Sequence, residues 1–417
     1  MAKKKKEEAE GSGNPILDKG IEALLAHARK LSGGQACLAS DLQERIWGLP
    51  CDHLAYRWLC DNTCYQLSRI VGVAGMKESC KSAFAMSLAK IWMDSNGICV
   101  YIDTENKKSP ALYRAVVGEA NTRKTMDYPA FSTEQWQEQI LDSLRFASDN
   151  DAVSDRPVMF IIDSLGGVDT KETDARIEKE GGINPRNTGG MIKCKSHNEF
   201  FRHVNKHLYM KPYSLVYINH LSDDPNSPIQ GAKRKPGGTG QDYHAVLDLW
   251  FSVVKGTPVY KATRGFTEKI LKITVNKNSM GASKRNLEIP YRWKGDEETN
   301  QISECWFDWD AATAMLLTDD SPTGIKGRVK DILNVTVNSN KYSCKELGLV
   351  AVTDTEMGEA IRHNVEIRER LSDALGINRM KVWPGLKCAD ADVYEKVRYR
   401  TPRAADSECG QAEEDGE

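Results

Sequence analysis

The chain has no stretch approaching about 18 consecutive apolar residues, so no conventional membrane-spanning helix is expected. Residues 1–10 carry a lysine cluster followed by glutamates where a secretory leader needs an apolar stretch, and the expectation is a cytoplasmic protein. No internal repeat is present, which sets aside solenoids and arrays. Nor is there an excess of charge of either sign. The 57 Lys and Arg face 59 Asp and Glu, a formal net charge of -2, so any basic surface must be local. The 11 cysteines are an odd number without a repeated Cys-x-x-Cys pair, which argues for reduced thiols and against a disulfide framework. One cluster, Cys51, His53, Cys60 and Cys64, has donors for zinc. Its spacing matches no common site, and inert buried thiols are the favoured reading. What is present, 417 residues at 40% hydrophobic and 28% charged, suits a core domain plus a smaller appendage and excludes disorder throughout.

Composition shifts divide the chain. Residues 1–13 read as a flexible charged tail, and residues 14–47 as a helix and linker. Asn14 offers an N-cap and Pro15 a first helical position, while Leu17, Ile21, Leu24, Leu25, Ala28 and Leu31 recur at helical spacing. That apolar face must be buried either on the chain's own core or on a neighbouring subunit. From 48 to 293, short apolar runs at 70–73, 98–102, 158–162, 215–218, 246–254 and 270–275 alternate with helical stretches. This predicts an α/β core with a mostly parallel sheet flanked by helices, its ligand site at the carboxyl ends of the strands. Two segments lack apolar periodicity, 166–190 and 222–240, and loops of that length are usually functional. Residues 294–400 read as a small C-terminal domain and 401–417 as an acidic, unfolded tail.

The run Gly75-Met76-Lys77-Glu78-Ser79-Cys80-Lys81-Ser82 follows a strand and opens an apolar helix. It fits the phosphate-binding pattern G-x-x-x-x-G-K-[ST] except that Cys80 stands at the second glycine. In that pattern backbone N–H groups cradle phosphate oxygens, Lys81 neutralises terminal phosphates and Ser82 ligates magnesium. Residues 158–162 lead into Asp163, a second magnesium ligand candidate, and residues 100–105 deliver Asp103 and Glu105, the latter able to activate a water. A further strand ends in Asn219-His220, either a sensor of the terminal phosphate or a hydrogen-bonded histidine at a strand end. Lys233, Arg234 and Lys235, beside Gly237 and Gly238, offer phosphate-neutralising charge for a single strand in a glycine-rich loop.

This order of motifs resembles the RecA family and, more closely, the UvsX-type recombinases of bacteriophages, over residues 48–293. The resemblance rests on Gly75 to Ser82, Tyr101-Ile102-Asp103-Thr104-Glu105, Phe160 to Gly166, Ile218-Asn219-His220, Gly237-Gly238-Thr239-Gly240 and Val275-Asn276-Lys277. It implies a RecA-like ATPase that uses ATP and Mg2+, forms a helical filament on single-stranded DNA and exchanges strands with a homologous duplex in the host cytoplasm. It further implies that Gly75 to Ser82 bind the nucleotide, Ser82 and Asp163 serve magnesium, Glu105 is the catalytic base and His220 the phosphate sensor. Residues 166–190 and 221–240 become two DNA-binding loops, and the N-terminal helix becomes an oligomerisation helix. Lys277 becomes a cation reaching a neighbour's ATP. A single-strand-binding protein and a recombination mediator are expected partners. The family's second cation falls at Ser279, so either Lys284 or Arg285 substitutes or trans activation is weaker; the adenine-stacking position falls at Leu112, with Tyr113 adjacent. A ring-forming helicase and a non-hydrolysing DNA-coating filament are the alternative functions.

Overall fold

The computed structural model describes residues 15–32, 36, 38, 47–180, 189–224, 227–229, 231–254, 258–295, 302–321 and 324–384. The expected tails at 1–13 and 401–417 lie outside them. Within the first unit, residues 1–46, the expected helix is present as α1 (Pro15–Leu31), with Leu24 and Leu31 exposed.

The second unit begins with β1 (Trp47–Pro50), α2 (Leu54–Cys60), β2 (Cys64–Gln66) and β3 (Ile70–Gly75). There follow α3 (Lys81–Asp94), β4 (Ile98–Asp103), α4 (Pro110–Val117), the short α5 (Glu119–Thr122), β5 (Thr125–Pro129), α6 (Thr133–Asp149) and β6 (Val158–Asp163). Next come α7 (Lys171–Glu180), α8 (Gly189–Leu208), β7 (Tyr213–His220), a ribbon of β8 (Ser222–Asp223) and β9 (Lys233–Arg234), and α9 (Gly240–His244). The chain continues through β10 (Leu247–Val253), β11 (Val259–Lys261), β12 (Phe266–Asn278), β13 (Asn286–Gly295) and β14 (Ile302–Phe307). It ends in α10 (Trp309–Thr318), α11 (Lys326–Val329), β15 (Val335–Asn338), β16 (Lys341–Cys344), β17 (Leu349–Val352), α12 (Asp354–His363), α13 (Val365–Ala374) and β18 (Lys381–Val382).

The architecture is α/β. A ten-stranded mixed sheet runs β14-β13-β12-β10-β3-β7-β6-β4-β5, with β11 added on β12. Strands β10 through β5 in that order are parallel, whereas β14, β13, β12 and β10 pair antiparallel. Alternation along the strands builds a core on each face. In β6, Met159 and Ile161 join α3 on one side, while Val158, Phe160 and Ile162 join Trp136, Ile140 and Leu144 of α6 and Phe200, Phe201 and Val204 of α8 on the other. All six expected strands are present; the parallel order places the ends of β3, β4, β6 and β7 side by side.

Two expectations change. The segment 166–190 contains a ten-residue helix, α7, whose only apolar residues, Ala175 and Ile177, are too few to carry an apolar period. Its start is fixed by Thr170, whose hydroxyl accepts from Thr173 N at 3.2 Å, and Glu172 and Asp174 in its first turn suit the helix dipole. The boundary expected at 294 falls inside β13, and β14 beyond it closes the edge of the same sheet. Arg292 of β13, 1% exposed, reaches Glu268, Asp308 and Asp354 and donates to Thr355 Oγ1 at 2.7 Å. The residues after 294 are therefore bolted to the sheet. The terminal β18 returns to pair in parallel with β1, matching Trp47 with Lys381.

Candidate functional site

The fully buried β3 delivers its last residue, Gly75, into a tight turn. A Cβ on Gly75 would lie 2.5 Å from Ser79 Oγ and 2.6 Å from the Phe251 carbonyl, so only glycine fits. Ser79 Oγ donates to the Met76 carbonyl at 2.7 Å and closes the loop. Cys80, at the position the motif gives to glycine, has φ 60 and is the N-cap of α3. The turn thus keeps the glycine backbone and accepts a strain of about 1 kcal/mol. The first N–H groups of α3 have no intrahelical acceptor, which favours an oxyanion at this end of a 14-residue helix. Lys81 is 7% exposed, and its ammonium folds back onto the Met76 carbonyl at 2.8 Å. Among the described residues no carboxylate lies within ion-pair distance of it; burial lowers its pKa while the fields of Asp163 and Glu105 oppose that.

Asp103 and Asp163 end β4 and β6 in direct register. Asp103 accepts from Glu105 N at 3.0 Å and Lys108 N at 2.7 Å, shaping the turn that projects Glu105. Asp163 accepts from Tyr101 Oη at 2.7 Å; burial pushes its pKa up, opposed by hydrogen bonds from Ser82 and Tyr101. A hard cation beside Ser82 and Asp163 would meet oxygen donors of the right kind. Glu105 accepts from Ser164 Oγ at 2.7 Å, from His220 Nε2 at 2.9 Å and from Lys107 Nζ at 2.8 Å. Burial alone would raise its pKa; donation from Lys107, Ser164 and His220 outweighs it and holds the carboxylate at about 2. In this arrangement Glu105 is an ionised orienting acceptor, and loosening its donors would make it a stronger base.

Beyond His220 the site is wired to the basic loop by residues whose roles the sequence did not disclose. Asn219 Nδ2 donates to Gln241 Oε1 at 2.7 Å and to the Pro236 carbonyl at 3.0 Å. Gln241 Nε2 in turn donates to the carbonyls of Pro236 and Gly238 at 2.7 and 3.0 Å, and both amides are 1% exposed. Asn219 also accepts from His220 N at 2.8 Å. The only signal in the sequence was an amide placed at the strand end beside His220.

The expected DNA residues do not share one environment. Lys233 pairs with Asp223 across the β8–β9 ribbon, and Arg234 is exposed. Lys235, expected among the DNA contacts, is instead buried between Asp242 and Asp248. Gly237 and Gly238, at φ +92 and +79, are not free hinges: a Cβ on Gly238 would lie 2.9 Å from Cys194 Sγ of α8, and Gly240 presses on Asn198. Lys277 does not approach the Gly75–Ser82 turn of its own chain. It lies level with Asp248 and Gly72, and its ammonium caps α9 through the carbonyls of Asp242 at 2.6 Å and Tyr243 at 3.1 Å. Arg285 is tied to Asp61 at 3.0 Å, whereas Lys284 is exposed with φ 64. Tyr113 is buried against Tyr101 and bonded to Thr125 Oγ1 at 2.5 Å, so its face is not open to a base.

The cysteine cluster is part of the core. Burial pushes the thiols of Cys51 and Cys64 up to about 11 and about 12, and His53 Nδ1 faces Asp310 at 3.3 Å. Among the described residues no group of three or more His, Cys, Asp or Glu is placed to hold a metal. No protein-family model matches the chain, and no curated protein matches its sequence.

Proposed function

We propose that the chain is a RecA-type, DNA-dependent ATPase that assembles on single-stranded DNA and exchanges strands with a homologous duplex. One observation carries this reading: Gly75 to Ser82, Asp163, Glu105 and His220 converge at the ends of four adjacent parallel strands, and Asn219 links them to the loop bearing Lys233 and Arg234. An ammonium at Lys81 held only by the Met76 carbonyl among the described residues, a helix N-terminus and the paired oxygens of Ser82 and Asp163 fit a magnesium nucleotide by their donor chemistry. When bound, that group supplies the scissile phosphoanhydride and a cation that draws charge from it.

The chain's own residues then have distinct tasks. The turn holds the phosphates, Lys81 leaves Met76 to neutralise the outermost charge, and Glu105 orients water as His220 shifts toward the new anion. Movement of His220 pulls on Asn219 and, through Gln241, on the loop. Lys277 would serve a neighbouring copy only after leaving α9, so turnover would rise on assembly. Strand exchange with homologous and heterologous duplexes, run beside ATP hydrolysis with and without single-stranded DNA, tests the reading. DNA-stimulated hydrolysis and homology-dependent exchange are expected; unwinding by closed rings, without exchange, would assign the chain to the helicases. The three donors that occupy Glu105, from Lys107, Ser164 and His220, favour a second reading, a non-hydrolysing coating filament, which predicts DNA binding without turnover.

A further inference from the structure

We propose that Lys235 is a hook that sets the pose of the basic loop, leaving Lys233 and Arg234 as the cations that meet the nucleic-acid backbone. The inference rests on the DNA-binding reading above. It begins with burial: the Lys235 side chain is 3% exposed, and its ammonium reaches Asp248 Oδ1 at 2.9 Å and the carboxylate of Asp242. Asp248, 1% exposed, is itself immobilised, because its Oδ2 accepts from Trp250 Nε1 and Asn276 Nδ2, each at 2.8 Å. The strand beneath is shaped for it: a Cβ on Gly72 would lie 2.6 Å from both Asp248 Oδ1 and Tyr217 Oη.

A buried carboxylate deprived of its cation is strongly disfavoured, so the pair holds one point of the loop against the sheet face. Its neighbours differ. Arg234 is exposed, and the Lys233–Asp223 pair has a carboxylate 77% exposed, a partner that a phosphate can displace at little cost. These cations stand with Ser222, Thr239 and Trp250 around a groove of about 630 Å³, whose lining also includes Lys235, its ammonium already engaged by Asp242 and Asp248. A single strand following the groove would therefore release counterions against two cations of the run, although three are written in the sequence.

The slope of affinity against salt separates positioning from contact. The full-length protein would be titrated with an oligo-dT strand over a KCl series. The variants are Arg234→Ala, Lys235→Arg, Lys235→Met and, since an orphaned carboxylate can block folding, the paired Lys235→Met/Asp248→Asn. Arg234→Ala is expected to reduce the log–log slope by about 0.7. The Lys235→Met variants are expected to bind on the order of tenfold more weakly with the slope unchanged, and Lys235→Arg to recover affinity. A slope loss in the paired variant equal to that of Arg234→Ala would make Lys235 a phosphate contact and overturn the proposal, as would unchanged affinity and slope. Salt-insensitive or absent binding by the unaltered protein would remove the DNA reading itself.

Discussion

Cys80 shows how a residue can break a pattern and keep its geometry. The αL backbone that glycine adopts freely is here imposed on a side chain, at the N-cap of the helix that opens the candidate site. Cys80→Gly should stabilise the fold by about 1 kcal/mol less the entropy of the freer unfolded chain, read from chemical denaturation. His197 is a second such residue. It is 2% exposed, packed against Trp136 with ring centroids 5.6 Å apart and the rings tilted by 47°, and Nε2 finds no hydrogen-bond partner among the described residues. Burial, aided by Lys193, lowers its pKa from 6.5 to about 3. Between those values the unfolded chain binds a proton that the folded chain refuses, so stability falls with falling pH across that window. At pH 5 the deficit from this group is about 2 kcal/mol, and His197→Phe should remove that part of the acid sensitivity in urea melts run from pH 7 to pH 5.

Among the elements, β7 and the loop after it form one device. Asn219→Ala would cut the amide link to Gln241 while leaving Lys81, Glu105 and His220 in place. The expected outcome is nucleotide binding near the unaltered level with at least a tenfold smaller nucleotide effect on DNA affinity, measured by anisotropy with and without a slowly hydrolysed ATP analogue. Glycines in the same device act by close packing: Gly238→Ala adds a left-handed strain and a contact at 2.9 Å to Cys194. It should cost about 1 to 2 kcal/mol and raise amide exchange in 233–239.

How far sequence reading reached follows from these elements. Strands β4, β6 and β7 were legible as apolar runs closing on a carboxylate or an amide, and β3 as one running into the glycine turn, with the site residues at those ends; the parallel β5 was not, because Thr125, Asp127 and Pro129 break any apolar run. Strand β13 was not, because Arg292 and Pro290 interrupt its pattern, and their reasons, an ion-pair hub and a place opposite Ile270 of β12, are tertiary. The helix α7 hid because Ala175 and Ile177 are its only apolar residues, too few to mark a helical face. Lys235 read as a phosphate-neutralising cation like Lys233 and Arg234 because its carboxylate partners lie 7 and 13 residues away in sequence, on other elements.

For the molecule as a whole, Arg292 is the point where sheet and C-terminal elements meet. Arg292→Met would strip buried Asp308 of the cation it pairs with and leave Glu268 and Asp354 to Lys261 and Arg264, and a loss of about 3 to 5 kcal/mol is expected in denaturant melts, with α12 exchanging earliest. The three sheet segments β18, β1 and β2 bring the first and last described strands of the unit together, since β18 lies beside β1 and about 4.8 Å from it. Dyes attached at Trp47 and Lys381 would quench one another for as long as that seam stays zipped, and brighten when it opens. The closing strand thus offers a built-in optical gauge of whether adding nucleotide or DNA unfastens β18 from β1.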